Sequence, residues 1–368
     1  MARLSRAETQ QRTRDKVLAA ARAEFAEFGF RAARIDAIAE RAALTRGAVY
    51  SNFPGKRALY LAVLAELAER PAEFASAPPG TTMREALGAL AGAWVARLPH
   101  ADTDPHDLAR LGSDLIPEVL ADERMRLPYH QLMNLEALLV ALALESLDPP
   151  ETVPGAPPAR RVRLAETVLT ALHGASQMAA LAPGFVEPFD IVTACERLAG
   201  LRLDDWWSPP AVVAPAHRMD ERWVPPAAFD LVRAAPADLL DDGVVAILGL
   251  HRLAAAEQSI RATPPGAAVT VVMVTADPRE TTPLARLILA ELCDCLRRAF
   301  PPSARPRLRV VCDESGAVAA AAGVSAVSDA TETAIRVGAG RIRTRAEGFG
   351  ACHAAASTVP APTPSATG

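Results

Sequence analysis

The chain has 368 residues, half of them apolar, and its formal net charge is −4 at neutral pH. This length gives room for two or three domains and is too long for a single core. No apolar run approaches the roughly 20 residues of a membrane span, and the N-terminus has no apolar signal core, so we expect a cytoplasmic protein without membrane segments. Five scattered cysteines form neither a zinc-binding spacing nor a disulfide framework, which fits a reducing compartment.

The charge is distributed unevenly along the chain. Residues 1–57 contain twelve Lys and Arg against six Asp and Glu, a net charge of +6, so the remainder carries −10. Both lysines of the protein, Lys16 and Lys56, lie in this segment. A basic segment on an acidic body is typical of a DNA-binding protein, although codon bias toward arginine would give part of the same excess.

The first predicted helix covers Arg12–Phe28, where Val17, Ala21 and Phe25 recur at helical spacing. Gly29 follows as the residue that ends the helix. We expect the apolar face of this helix to pack beneath the next two elements.

Two short helices joined by a tight turn are predicted within Arg34–Lys56. The first has apolar residues at helical spacing. Thr45 can N-cap the second, over Arg46–Phe53, because its hydroxyl can accept a hydrogen bond from an N–H group of the first turn. This second helix buries Val49 and Phe53 one turn apart and leaves polar and small residues outside. The pattern predicts a helix-turn-helix.

This segment resembles the DNA-binding domain of the tetracycline-repressor (TetR/AcrR) family of transcription factors. The resemblance covers about residues 12–70 and rests on seven positions: Ile38, Ala39, Ala42, Gly47, Tyr50, Phe53 and Lys56. Family members usually have Gly where this chain has Ala43, and a left-handed conformation there would cost an alanine roughly 1–2 kcal/mol.

The predicted DNA contacts are the outward positions of the second helix and the start of the next: Thr45, Arg46, Gly47, Ala48, Tyr50, Ser51, Asn52 and Lys56. Arg46 can reach a guanine edge or a phosphate, Gly47 lets the backbone approach the duplex, and Ala48 can meet a thymine methyl group. The remaining polar side chains can bind phosphates. Each could instead belong to a solvated helix face, and Thr45 is a cap in either case.

A further helix begins near Lys56, continues to about Arg70, and places Leu59, Val63 and Leu67 on one stripe. After a Pro-rich break the pattern stays helical. We predict helices over Thr81–Leu98, Asp104–Leu120, Asp122–Leu147, Pro158–Leu181 and Pro188–Leu201.

These central helices resemble, by position, the effector-binding and dimerisation domain of the same family. A pocket among them would suit a small, largely apolar molecule. The candidate ligand residues are polar-tipped or adaptable side chains on apolar stretches: Trp94, Tyr129, His130, Met133, His173, Gln177 and Met178. Each could equally be ordinary core or surface.

Helices 158–181 and 188–201 are the candidates for a homodimer interface. The first has a face of small and apolar residues: Val168, Leu172, Ala175, Ala179 and Ala180. The alternative is an intramolecular core face. A dimer is favoured because one helix-turn-helix makes too few contacts, whereas two-fold symmetry supplies a second half-site.

Residues 203–227 form a predicted linker rich in Pro and Trp, after which strands and helices alternate. The predicted strands are Val244–Leu248, Ala268–Thr275 and Leu308–Val311, followed by a hairpin that joins Thr333–Val337 to Arg341–Arg345. The predicted helices are Leu250–Ala262, Thr282–Phe300, Ala317–Ala322 and Gly350–Ala356. This order predicts a central sheet covered by helices.

The layout of residues 228–356 resembles the thioredoxin-like fold and its peroxiredoxin branch, and a flavodoxin-like sheet is the main alternative. The resemblance rests on order and on short motifs such as the strand that ends at Cys312-Asp313. An active member needs a low-pKa cysteine after the first core strand, and Gly249–Ala256 contains none. Cys293 and Cys295 lie two apart on a predicted helix and so point away from each other. We therefore predict no catalytic residue, metal or cofactor.

The sequence thus predicts an all-α region followed by an α/β domain. The predicted divisions are 1–70 for DNA binding, 71–202 for effector binding and dimerisation, 203–227 as linker, 228–356 as thioredoxin-like domain and 357–368 as disordered tail. The predicted function is a ligand-responsive, dimeric transcriptional repressor of a palindromic operator, not an enzyme. Two alternatives remain, a redox-responsive regulator using Cys312 or Cys352 and a thiol peroxidase fused to a DNA-binding domain.

Overall fold

The structure is a computed structural model that describes residues 5–70, 78–99, 104–149, 159–205, 207–264 and 266–358. Most of the predicted tail and of the predicted loop at residues 148–159 lies outside them. The chain forms two compact units. Unit 1 contains Met1–His130, Thr167–Leu201 and Asp277–Pro301, and unit 2 contains Gln131–Glu166, Arg202–Ala276 and Pro302–Gly368.

Unit 1 begins with four helices in the predicted order. They are α1 (Arg6–Ala32), α2 (Ile35–Arg41), α3 (Arg46–Asn52) and α4 (Lys56–Ala68). Helix α1 starts six residues before its predicted start, because Ser5 caps it and exchanges hydrogen bonds with Glu8. Gly29 breaks the helical geometry with φ of 72°, as the sequence predicted.

The turn between α2 and α3 contains a left-handed residue. Ala43 has φ of 52°, so an alanine occupies the left-handed conformation that glycine adopts without strain. Thr45 caps α3, and its hydroxyl accepts a hydrogen bond from the Ala48 N–H at 3.2 Å. The predicted Thr45 cap is confirmed.

An aromatic cluster joins α1 to α4. The ring centroids of Phe25 and Phe30 lie 5.4 and 4.8 Å from that of Tyr60, which is almost fully buried. The Tyr60 hydroxyl donates to the Leu111 carbonyl at 2.5 Å, so its polar end is satisfied. Burial raises the pKa of Tyr60.

The remaining helices confirm the helical prediction for the middle of the chain, with shifted ends. They are α5 (Met83–Val95), α6 (Leu108–Leu111), α7 (Leu115–Ala121), α8 (Glu123–Leu147), α9 (Val162–Leu181) and α10 (Pro188–Leu198). A short 3₁₀ helix over Gly112–Asp114 separates α6 from α7, so the single helix predicted over Asp104–Leu120 is wrong.

Most of the face of α9 that was predicted to form the dimer interface is turned into the core of the chain. Val168, Leu172, Ala175 and Ala179 are buried within the chain itself, and only Ala180 of the predicted set is exposed. These four side chains belong to the core, which corrects their assignment to a partner surface.

Helix α12, over Thr282–Ala299, groups with the helices of unit 1, although the sequence assigned it to the α/β domain. It packs against α4 and α5. Leu287 is 1% exposed and lies in the apolar cluster that holds α1 and α4 together. Arg286 forms two 2.7 Å hydrogen bonds with the Glu69 carboxylate, and the Gly80 N–H donates to the Ala299 carbonyl at 2.9 Å.

Unit 2 is built on an eight-stranded sheet with the order β1-β8-β7-β4-β5-β6-β2-β3. The strands are β1 (Ala216–Arg222), β2 (Phe229–Asp230), β3 (Ala235–Pro236), β4 (Gly243–Gly249), β5 (Ala268–Val274), β6 (Arg309–Cys312), β7 (Glu332–Gly338) and β8 (Arg341–Glu347). Strands β4, β5 and β6 are parallel, and the other pairs are antiparallel. Three helices that follow β1 belong to this unit, α11 (Ala255–Ala262), α13 (Ala317–Ala321) and α14 (Ala351–Ser357).

The predicted strands and hairpin are confirmed. Every residue of β4 is buried, as expected of a central strand flanked on both sides. Ala339 and Gly340, both with positive φ, make the tight turn between β7 and β8. The mixed sheet excludes the parallel flavodoxin-like order, and the thioredoxin-like identity stays a prediction.

The predicted linker contains a strand. Strand β1 pairs with β8 at the sheet edge, and just after it Trp223 is buried, with its indole N–H donating to the Leu239 carbonyl at 2.7 Å. The strand was missed because its side chains are largely exposed and polar, so no alternation of apolar residues marks it.

Residues 131–166 group with the sheet and not with the other central helices. The Gln131 side chain accepts a hydrogen bond from the Ala254 N–H at 2.8 Å. Glu145 accepts from Arg160 Nη1 at 2.6 Å and from the Arg161 N–H at 2.9 Å. The grouping therefore differs from the predicted division at residue 202.

Of the helices in the described part of the chain, none combines the length and apolarity needed to cross a bilayer.

The place of α12 in unit 1 can be tested with Leu287→Ala. Removing this buried side chain should lower the free energy of unfolding by about 2–5 kcal/mol and accelerate amide hydrogen exchange in α4. Leu240→Ala, at a 53% exposed position, is the matched control and should change stability by less than about 0.5 kcal/mol. If amide hydrogen exchange in α4 is unchanged in the Leu287→Ala variant, the packing of α12 against α4 is contradicted.

Candidate nucleic-acid interface

The candidate interface is the outer face of α3. Val49 and Phe53 are buried at 1% and 2% exposure and fix the helix on the core. Thr45, Arg46, Gly47, Tyr50 and Ser51 are exposed, and Ala48, Asn52 and Lys56 are half-buried. The structure thus brings all eight predicted DNA-contact residues together on α3 and the adjoining start of α4.

Arg46 is held in place by its neighbours. Its Nη2 donates to the Tyr50 hydroxyl at 3.3 Å, and its guanidinium carbon lies 5.4 Å from the centre of the Tyr50 ring. Its Nη1 lies 3.2 Å from a carboxylate oxygen of Asp36. The Tyr50 hydroxyl and, less strongly, the Asp36 carboxylate raise the pKa of Arg46. This exposed ion pair contributes little stability, so the guanidinium can exchange Asp36 for another anion.

Gly47 is not required by the packing of the protein. Outside its own helix and chain neighbours, a side-chain carbon at Gly47 would meet only the Thr45 hydroxyl, at 3.8 Å. Glycine lowers helix stability relative to alanine. The packing of the described residues therefore gives no reason for a glycine at this position.

The polar groups at the C-terminal end of α3 are engaged with the helix itself. The Ser51 hydroxyl and the Asn52 amide both donate to the Ala48 carbonyl at 2.9 Å. These two side chains must change rotamer before they can donate to an external group.

Lys56 has a structural role that the sequence did not predict. Its ammonium group donates to the Arg31 carbonyl at 3.0 Å and to the Ala33 carbonyl at 3.2 Å, and it lies 4.6 Å from the centre of the Phe30 ring. An ammonium group has three donors, so one remains for a phosphate. Lys56 therefore ties the end of α1 to the start of α4.

A pocket of about 250 Å³ lies beside α3 and contains residues missed from the sequence. It is lined by Gln10, Gln11, Arg14, Ser51, Asn52 and Arg279. The basic N-terminal segment could have suggested Arg14. No local signal pointed to Arg279, which is separated from α3 by more than two hundred residues.

The structure brings two of the seven predicted ligand residues into contact, and the other five stay predictions. Trp94 and His173 are in contact, with ring centroids 4.8 Å apart, and the Trp94 indole donates to Ser176 at 2.9 Å. Tyr129, His130, Gln177 and Met178 lie in unit 1, whereas Met133 lies in unit 2.

A cavity of about 510 Å³ lies between α1 and α4. Its lining includes Leu18, Arg22, Val63, Leu67 and His106. None of the predicted ligand residues is among the described residues that line it, and the effector pocket stays a prediction. In the described part of the chain, no cluster of His, Cys, Asp or Glu side chains could hold a metal ion.

Comparison with known proteins gives a match over the first four helices. Residues 17–63 match the model for "Bacterial regulatory proteins, tetR family". No curated protein matches the chain.

Solved structures give weaker similarities. A TetR transcriptional regulator from Rhodococcus sp. RHA1 is 17% identical over 52% of this chain and 95% of its own, with a TM-score of 0.31. The fatty acid degradation regulator FadR from Bacillus halodurans is 16% identical over 51% of this chain and 99% of its own, with a TM-score of 0.24. Similarities with TM-scores this low do not establish a shared fold. The similarity to tetR regulators therefore depends on the family match over residues 17–63 and on the motif residues. Residues 17–63, which contain the helix-turn-helix motif residues, are thus similar to the N-terminal domain of tetR-family bacterial regulatory proteins.

Proposed function

We propose that this protein is a cytoplasmic transcriptional repressor that binds a palindromic DNA operator as a homodimer. A small, largely apolar molecule would release it. The observation that carries the proposal is the outer face of α3, where Arg46 and Tyr50 are exposed around a glycine that the fold does not need. A helix with this surface fits the major groove.

Contacts with the bases would come from the first turn of α3. Arg46 can donate two hydrogen bonds to the O6 and N7 atoms of guanine, exchanging its Asp36 partner for the base. Ala48 offers a methyl group to thymine. Tyr50, Lys56 and, after rotamer changes, Ser51 and Asn52 would contact phosphates, which fix the register of the helix without reading sequence.

Dimerisation is supported by an exposed apolar surface near the end of α9 and the start of α10. Leu181, Phe185 and Phe189 are 79%, 72% and 80% exposed, and Met178 is 38% exposed. Four large apolar side chains exposed within one short segment favour an interaction surface there. A two-fold pairing would present two α3 helices to half-sites about one DNA turn apart.

Release by an effector would be a population shift. A ligand that binds better to a conformation with a different spacing of the two α3 helices lowers the fraction able to bind the operator. Helix α4 follows α3 directly and packs against helix α12, which in turn contacts α5, so α4 is one of the links between the DNA-binding helices and the rest of unit 1.

The cysteines argue against the redox alternatives. Burial, reinforced by the nearby Glu332 carboxylate, raises the pKa of Cys352 from 9.0 to about 12, and burial raises the pKa of Cys195 to about 11. Cys293 and Cys295 are buried on α12, and Cys312 is half-buried. Thiol chemistry needs a thiolate, and for Cys352 and Cys195 burial favours the neutral thiol.

DNA binding can be tested with Gly47→Ala. The change should raise the free energy of unfolding by about 0.4–1 kcal/mol, because the unfolded chain loses freedom. It should also weaken binding to an operator selected from random duplex DNA by about tenfold or more, since a close-packed contact would lose about 1–3 kcal/mol. Fluorescence anisotropy measures the affinity.

The matched control for this experiment is Gly92→Ala. Gly92 is a helical glycine of α5 that also has open space around it. This variant should be stabilised similarly and should bind the operator as the wild type does. Equal DNA affinity of the two variants would contradict the proposed role of α3.

The dimer surface can be tested with Phe189→Glu. A charge in the interface should shift the protein from dimer to monomer in sedimentation velocity and reduce operator affinity. Leu240→Glu is the control, since Leu240 is an exposed leucine of unit 2. A monomeric wild type, or a Phe189 variant that stays dimeric, would contradict the proposed interface.

The redox alternatives can be tested by thiol alkylation followed by mass spectrometry. Cys352 should remain unlabelled in the folded protein at pH 8 and be labelled after denaturation. Its folded-state pKa is raised, so its contribution to stability is present below about pH 9 and is lost as the pH rises toward about 12. Stoichiometric labelling of the native protein at pH 8 would revive the redox-sensor hypothesis.

A further inference from the structure

We propose that the loop at residues 277–281, which precedes α12, is part of the DNA-binding surface. Its Arg279 would hold a backbone phosphate of DNA in the pocket beside α3. The proposal rests on the proposed function. It adds a DNA contact from a residue that lies outside the helix-turn-helix and more than two hundred residues after it.

The chemistry of the pocket fits an anion. All six lining side chains carry N–H or O–H donors, and none of them is a carboxylate: Gln10, Gln11, Arg14, Ser51, Asn52 and Arg279. Two guanidinium groups on one pocket of about 250 Å³ provide the positive charge. A phosphate diester, with one negative charge and exposed oxygens, is the matching ligand.

The two arginines of the pocket differ in their contacts with the rest of the protein. Arg14 lies with its guanidinium carbon 4.5 Å from the centre of the Phe53 ring, which fixes it beside the end of α3. Arg279 is exposed, and within the described residues it forms no hydrogen bond or ion pair. An exposed guanidinium among other donors has every N–H available to an external acceptor.

The loop that carries Arg279 is held firmly. The Asp277 side chain accepts from the Glu280 N–H at 3.3 Å, and the Asp277 carbonyl accepts from the N–H and hydroxyl of Thr281 at 3.0 and 2.9 Å. Glu280 in turn accepts from Arg57 Nε at 3.1 Å. The residue next to Arg279 is therefore tied to the first turn of α4, so little ordering of the loop is needed on binding.

The location favours DNA over a free anion. Ser51 and Asn52 belong to the same helix whose outer face we assign to the major groove, and the phosphates that border a groove lie beside a helix inserted into it. Free inorganic phosphate has the same chemistry and is distinguished by the experiment.

The test compares Arg279→Ala with Arg84→Ala in the full-length protein. Arg84 is an exposed arginine on α5 that does not line the pocket, so both variants lose one positive charge. Affinities for the selected operator and for an unrelated duplex are measured over a series of KCl concentrations.

Arg279→Ala should weaken binding several-fold for both duplexes alike, because a phosphate contact carries no base information. It should also reduce the slope of log affinity against log salt by about 1. Arg279→Lys should retain most of the slope, and Arg84→Ala should match the wild type. Equal melting temperatures confirm that the variants are folded.

Three results would overturn the inference. The first is that the wild type binds the operator and both alanine variants have the same slope of log affinity against log salt. Arg279 then makes no DNA contact, and the proposed function stands. If inorganic phosphate binds and Arg279→Ala abolishes that binding without changing the slope, the pocket is a free-anion site. If the wild type selects no duplex sequence and binds none, the proposed function itself fails.

Discussion

Helix α4 has no polar face between Ala58 and Ala65, and unit 1 depends on this constraint. All eight residues of that stretch are buried, so the helix must be covered on every side. Helix α1 contributes Phe25 and Phe30, and α12 contributes Leu287. Removing one large side chain from such a core costs roughly 2–5 kcal/mol, so α4 keeps a fixed place between its partners.

The candidate interface is built on the first turn of this helix. Lys56 holds the carbonyls at the end of α1, and Arg57 pairs with Glu280 and, at 2.5 Å, with Asp122. The end of α1 and the loop at residues 277–281 therefore share one anchor. For the proposed repressor, the packing around α4 is therefore one route by which an effector could act on the helix-turn-helix.

Apolar burial and ion pairs make different contributions to the packing of α12. Arg57–Glu280 and Arg286–Glu69 are partly exposed pairs. Arg97–Asp294 is mostly buried. Pairs near the surface contribute about 0–1 kcal/mol each, less than the burial of Leu287. The apolar face therefore stabilises the packing, and the charges select its register, because a shift of one turn would separate all three pairs.

The sequence by itself determined the helix-turn-helix, because its signals are local: the buried pair Val49 and Phe53 and the Thr45 cap. It also determined the inner strands, which are short apolar runs, and the β7–β8 hairpin, whose turn contains glycine. Tertiary structure alone decided the partner of α12, since an amphipathic pattern shows that a face is buried and not what covers it. It also decided the pairing of β1, which depends on backbone hydrogen bonds of exposed polar residues. The meeting of Arg279 with α3 has the same origin, because residues so far apart in sequence are brought together only by packing.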